Sequence, residues 1–198
     1  MINRIILASA SPRRKDLLES AGVSFEILIP DVDETPIKSE HPKKMVARLS
    51  LLKACEISRG LANSGTHLIL AADTTVVSAQ NKNLGKPESI AEAIRMIRAL
   101  QGKPHHVYTA YTLLKVRDGK IVQKQTRVVR TDVWIKKMST TEIAQYVDEG
   151  ESLDKAGGYA AQGKGMALIE KIKGSYTNVV GLPLSHVVED LKKFGFKA

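Results

Sequence analysis

The chain has 198 residues, a net charge of +9 and one cysteine, with 43% hydrophobic and 26% charged residues. This composition excludes a disordered polymer and a disulfide-stapled scaffold, and the length suits one domain or two closely joined lobes sharing a core. The first apolar run is too short to span a bilayer and has no signal-peptide pattern, so the sequence reads as cytoplasmic, with no membrane partner.

Residues 4–8 read as a short buried strand. Ser11-Pro12 then supplies an N-cap and a proline at the first helical position, opening a helix that stops near Gly22. A second strand over about 24–30 leads into the acidic run DVDET. Pro42 opens a longer helix with Met45, Val46, Leu49, Leu52 and Ile57 on one face. HLILAAD reads as a buried strand ending at Asp73. Ser89 and Glu92 form a capping-box pattern before a helix that Gly102 stops. Two β-rich runs, about 105–116 and 121–136, flank the hairpin signal Asp118-Gly119. A second capping-box pattern, Ser139 with Glu142, begins a helix ending by Gly150. The glycine-rich run DKAGGYAAQGKG leads to a strand, MALIEKI, and Pro183 opens a last amphipathic helix. Interleaved helices and strands with one hairpin predict a mixed α/β sheet with flanking helices.

The positive charge favours a polyanionic partner. Its basic residues are dispersed, with no Lys/Arg block, zinc-finger spacing or RNA-binding aromatic strand, so nucleic acid is permitted but not indicated.

Three places can carry chemistry. The run SASPRR, Ser9 to Arg14, lies at a strand-to-helix junction, where unpaired N–H groups and the helix dipole suit phosphate. Ser9 and Ser11 add hydroxyls, and Arg13 and Arg14 add forked donors. A capped helix with solvated arginines accounts for the same residues. Lys53 falls inside the apolar stripe of its helix, between Leu49 and Ile57. There it must snorkel, lose its charge or meet an anion. Asp73, after six mostly apolar residues, suits a metal ligand, a general base or the cap of a turn. Lys86 in GKP, Gln162 before Gly163, the Asp154–Lys155 pair and Glu34 in DVDET each read as loop residues when taken alone. His105-His106 lacks the spacing of a metal pair, and Cys55 reads as packing.

Together, LASASPRR (7–14), DVDET (31–35), AADTTV (71–76), GKP (85–87), LDKAGGYAAQGKG (153–165) and VVGLPL (179–184) resemble the Maf family, also described as septum-formation inhibitors. The six runs occur in the family's order and span nearly the whole chain; Gly158 and Ser152 depart from its usual pattern. The resemblance implies one Maf-like domain over 1–198, with an ITPase-like mixed sheet and two lobes around a central cleft. It also implies a nucleoside triphosphate pyrophosphatase using magnesium or manganese, and a homodimer. Carried over by motif, Asp73 is the catalytic base and, with Glu34, the metal site. Arg13, Thr74 and Gln162 match specificity positions, and Ser9, Arg14, Glu34, Lys53 and Lys86 match polar cleft positions. The Arg13, Thr74, Gln162 combination resembles the branch acting on dTTP and UTP; a sister branch acts on 7-methyl-GTP. The donor and acceptor of a glutamine amide match the imide edge of thymine or uracil. The other function classes open to the sequence are a nucleic-acid-binding module and a cell-division regulator acting through protein contacts.

Overall fold

The computed structural model describes residues 2, 4–61 and 65–197. Its strands are β1 (Ile5–Ala8), β2 (Phe25–Leu28), β3 (Thr66–Val77), β4 (Asn83–Leu84), β5 (Pro104–Arg117), β6 (Lys120–Ile135) and β7 (Ile169–Lys173). Its α-helices are α1 (Pro12–Ser20), α2 (Pro42–Arg59), α3 (Ile90–Leu100), α4 (Thr140–Asp148), α5 (Tyr176–Val180) and α6 (Leu184–Lys193). The strands form one mixed sheet in the order β2-β1-β3-β5-β6-β7, with β4 paired to β3. β1 is parallel to both β2 and β3, whereas β3–β4 and β6–β7 are antiparallel. The expected mixed α/β architecture is therefore present. Among the described residues no helix is long and apolar enough to cross a membrane.

The chain divides into two compact units, one of Met1–Thr74, Thr109–Val129 and Gly181–Ala198, the other of Thr75–Tyr108 and Arg130–Val180. In the first, Leu7, Leu18, Leu70, Tyr111, Val187 and Phe194 pack into one cluster, and Ile6, Ala54, Ile69 and Leu114 into another. The second has its own core, including Ile97, Leu100, Val133, Ile143, Tyr146 and Tyr159.

Local chemistry explains the elements that carry functional residues. Pro12 sits in the first turn of α1, where its missing N–H is not needed, and Ser11 is the N-cap residue without a side-chain cap bond. His41 caps α2 through Nδ1, which accepts from the Lys43 N–H at 3.2 Å. Met45, Val46, Leu49 and Ile57 of the expected apolar stripe of α2 are buried, whereas Leu52 is only half-buried. Asp118 (φ 49°) and Gly119 (φ 73°) form the tight turn between β5 and β6, the two positive φ values a twisted hairpin requires.

Three expectations need correction, and one element went unpredicted. Asp73 does not end its strand: Thr74, Thr75, Val76 and Val77 prolong β3, as β-branched side chains favour. MALIEKI is only half strand, because the chain winds in a 3-10 turn over Gly163–Leu168 before β7. Ser89 caps α3 from its own side, but the Glu92 carboxylate accepts from Glu88 N–H and not from Ser89 N–H, so only Ser139–Glu142 makes the full reciprocal box. The short helix α5 carries no periodic signal that a sequence window could detect.

α6 is pinned through Asp190, whose residue is only 1% exposed. Its carboxylate accepts from Tyr111 Oη (2.6 Å), Gln125 Nε2 (2.5 Å) and Lys193 Nζ (3.0 Å). Burial opposes the charge, but Tyr111 and Lys193 outweigh it and hold the carboxyl below its ordinary value. A depressed folded pKa stabilises above the unfolded value and loses that contribution as pH falls through the folded one. Replacing Asp190 by Ala is expected to lower Tm at pH 7 by roughly 10 °C, since it leaves buried donors unpaired. The gap to the parent chain should narrow below pH ~4, which thermal melts across pH will read.

Candidate functional site

Four elements of the first unit carry six of the sequence-selected residues. β1 delivers Ser9 just past its end, α1 presents Arg13 and Arg14 in its first turn, α2 carries Lys53 and β3 carries Asp73 and Thr74. The acidic loop between β2 and α2 adds Glu34.

Lys53 decides the character of this place. It is only 7% exposed, as its position in the apolar stripe of α2 requires. Of the three outcomes open to a lysine there, the structure shows the third. Its ammonium lies 2.8 Å from Asp73 Oδ1 and 3.0 Å from Glu34 Oε1. Asp73 is 8% exposed, whereas the Glu34 side chain is 57% exposed. The pair is thus dry at the aspartate and open to water at the glutamate. Burial pushes the Asp73 carboxyl above its ordinary value, opposed by Lys53 and Arg14 and assisted by Glu34.

Arg14 is fixed by three bonds. Nε donates to Gly181 O (3.0 Å), Nη1 to Ser9 Oγ (3.1 Å) and Nη2 to Thr74 Oγ1 (3.2 Å); Ser9 Oγ also accepts from Ser11 N–H (3.2 Å). Thr74 Oγ1 lies 2.9 Å from Thr109 Oγ1. Burial lowers the Arg14 pKa, countered by Asp73, and neighbouring Arg13 lowers it further. A guanidinium in a first helical turn opposes the helix dipole. Here it is held by three uncharged oxygens, so Ser9 and Thr74 orient a cation as well as facing the site.

The loop that carries Glu34 is itself strapped down. Arg48, five residues before Lys53 on α2, makes a forked pair with Glu40 (Nε–Oε1 2.9 Å, Nη2–Oε2 2.7 Å) and reaches Thr35 O at 3.4 Å. Sequence reasoning missed Arg48, Glu40, Thr109 and Gly181. A forked Arg–Glu pair eight residues apart has no local signature, and Thr109 and Gly181 come from distant segments.

Lys86 and Gln162 belong to the second unit. Lys86 is exposed beside Gly85, whose carbonyl accepts from the Gly157 N–H at 3.0 Å, so the GKP and glycine-rich runs are tied to each other. Gln162 is half-buried at the start of the 3-10 turn, with no side-chain cap bond. Asp154 and Lys155 form an ion pair. His105 and His106 do not share a ligand position: His105 bonds Tyr159 and His106 bonds Asp132.

Cations at a helix start beside two converging carboxylates suit a charged phosphate ester. The sequence comparison identifies the lineage: the Maf-like protein family matches residues 4–194. The chain belongs to the Maf-like family. Among curated relatives, the dTTP/UTP pyrophosphatase of Syntrophus aciditrophicus (strain SB) is 46% identical over 195 residues, covering 98% of this chain and 92% of that protein. That of Geotalea uraniireducens (strain Rf4) is 45% identical over 194 residues, covering 98% and 96%. In fold, the Maf-like chain is similar to a HAM1 protein from Coxiella burnetii, with a TM-score of 0.53 and 15% identity over 98% of this chain and all of that one. At that identity the likeness is one of fold, and it agrees with the mixed sheet expected.

The Lys53–Asp73 pair can be measured directly. Lys53→Met should leave the buried aspartate short of a partner, and Asp73→Asn should do the same to the ammonium. In metal-free buffer each is expected to destabilise, and the double variant by about 1–3 kcal/mol less than their sum. Urea denaturation of the four chains gives that coupling, and strict additivity would show the contact to be energetically idle.

Proposed function

We propose that this Maf-like chain hydrolyses dTTP and UTP to the monophosphate and pyrophosphate. The observation that carries the proposal is the buried Lys53 ammonium between Asp73 and Glu34, with Arg14 locked beside them. The support for the base preference is the name shared by the relatives and the Arg13, Thr74, Gln162 combination.

The residues fit a divalent cation of the magnesium or manganese kind. Two carboxylates converge on one cationic group, Lys53 Nζ, so positive charge is stable where both reach it. Among the described residues no group of three or more acidic, histidine or cysteine side chains could hold a metal, so phosphate and water would have to supply the remaining ligands. Asp73 and Glu34 would hold the ion, which when bound supplies charge neutralisation on the triphosphate and polarisation of the α-phosphate.

Asp73 acts as the base. Desolvation raises its proton affinity, which brings a carboxylate closer to the value wanted for taking a proton from water. The water oxygen bonds to the α-phosphorus in line as the α–β anhydride bond breaks, and the electron pair leaves with pyrophosphate. Arg13 and Arg14, backed by Ser9 and Thr74, neutralise phosphate charge, as does Lys53. Preorganised charge of this kind supplies most of the catalysis in phosphoryl chemistry. Lys86 and Gln162 enter on the family motif: Lys86 as a further phosphate cation, Gln162 as the reader of the base. A site built to hydrogen-bond an imide leaves its own groups unpaired against other bases.

The proposal takes residues 1–198 as one Maf-like domain that works as a homodimer in the cytoplasm, supported by the family resemblance and the single cysteine. Its partner is a nucleoside triphosphate, and nucleic acid and membrane have no part in it.

The test is a nucleotide panel that includes dTTP, UTP, CTP, GTP and 7-methyl-GTP, with magnesium or manganese, following pyrophosphate release. Fastest turnover of dTTP and UTP is expected, with Asp73→Asn slower by about 10²–10⁴ in kcat. Undiminished turnover by Asp73→Asn would sink the catalytic assignment, and a preference for 7-methyl-GTP would move the chain to the sister branch.

A further inference from the structure

The glycine-rich run bearing Gln162 is held by tyrosine hydroxyls from three directions within the second unit. Tyr146, on α4, accepts the Ala160 N–H through its Oη at 3.0 Å. Tyr176, at the start of α5, donates from Oη to Ala161 O at 2.8 Å. The third hydroxyl belongs to the run itself: Tyr159 Oη lies 2.7 Å from His105 Nε2 on β5, with the two rings edge-on. Three consecutive residues immediately before Gln162 are thus anchored to three separate elements.

The anchoring continues beyond Gln162. Glu151 accepts from the Lys164 and Gly165 N–H groups at 3.4 and 3.3 Å. Gly165 packs so closely that a Cβ there would stand 2.2 Å from Ala160 O and 2.9 Å from Tyr146 Oη. Only glycine lets the segment fold back onto the tyrosine. The proposed hydrolysis does not by itself call for these hydroxyl anchors, since the phosphate-binding groups other than Lys86 are in the other unit.

We infer that Tyr146 and Tyr176 are positioning residues for base recognition: their hydroxyls fix the backbone of 160–161 so that the Gln162 amide meets the pyrimidine edge in one place. This rests on the reading of Gln162 as the base-contacting residue. Burial raises the hydroxyl pKa of Tyr146, so it stays protonated, and lowers His105 to about 4, so the imidazole bonded to Tyr159 stays neutral. The bonds made by Tyr146 and Tyr159 therefore join uncharged groups.

The test uses the full chain with Tyr146→Phe, Tyr176→Phe, both together, and each in a Gln162→Ala background. Phenylalanine keeps the ring and removes one hydrogen bond, so KM for dTTP is expected to rise on the order of 5-fold per hydroxyl. Two readouts separate positioning from general loosening. Competitive inhibition by pyrophosphate, which has no base, should hold its constant. In the Gln162→Ala background the tyrosine substitutions should raise KM no further. An unchanged KM in the double tyrosine variant overturns the inference, as does an equal rise in the Gln162→Ala background or a parallel loss of pyrophosphate inhibition. If Tyr146→Phe does not fold, Tyr176→Phe, at a residue 43% exposed, carries the test alone. The underlying reading fails in a different way: either the parent chain turns over neither dTTP nor UTP, or Gln162→Ala by itself leaves KM for dTTP unchanged.

Discussion

A lysine ammonium buried in the apolar face of a helix is the constraint on which the rest of the site depends. An isolated charge there would be expelled or neutralised, because desolvation costs several kcal/mol even after relaxation. α2 can keep Lys53 only because β3 sets Asp73 opposite it and the acidic loop lowers Glu34 onto it. The dependence runs both ways, since Asp73 is as dry as Lys53 and owes its charge to that ammonium and to Arg14. The Arg48–Glu40 strap then becomes intelligible. Glu34 is on a loop without regular structure, and the strap ties that loop to α2 five residues before Lys53.

Arg14 applies the same logic with different partners. Its guanidinium spends three N–H bonds on Ser9, Thr74 and Gly181, none of which carries a charge. The charge is met by the fields of Asp73 and Glu34 and opposed by that of Arg13. By formal charge Arg13, Arg14 and Lys53 outnumber Asp73 and Glu34, a positive excess before any further partner is counted. That excess opposes the dipole of α1 until an anion arrives, so polyanion binding relieves a strain built into the first helical turn.

Much of this was legible in the sequence, for identifiable reasons. The 3.6-residue period of α2 exposed Lys53 as misplaced, and the misplacement implied an anion without naming it. Ser11-Pro12 located the start of α1, and Asp118-Gly119 the hairpin, because both are local stereochemical signals. Asp73 was found but set at a strand end, since the apolar run stops there while the β-branched run does not. The partners of Arg14 and Tyr159 were out of reach. Gly181 lies 167 residues from Arg14, and His105 lies 54 from Tyr159, and no window connects such pairs. Lys86 and Gln162 carry no physical signal of their own, and only the ordered motifs of the family single them out.

The two units hold their functional groups by different means, and the difference bears on specificity. In the first unit Lys53 is fixed by charge on charge, while Arg14 is oriented by neutral oxygens. In the second the backbone just before Gln162 is held by neutral hydroxyls, and the backbone just after it by the Glu151 carboxylate. A glutamine amide alone is an ambiguous reader: turned by half a revolution it presents donor and acceptor reversed, matching a cytosine edge as well as a uracil edge. Position alone cannot remove that ambiguity, but competition from nearby backbone groups would aggravate it. The hydroxyls of Tyr146 and Tyr176 occupy the N–H of Ala160 and the carbonyl of Ala161, in the two residues just before Gln162. In the proposed reading these two groups are already engaged, and the orientation of the Gln162 amide is left to the base.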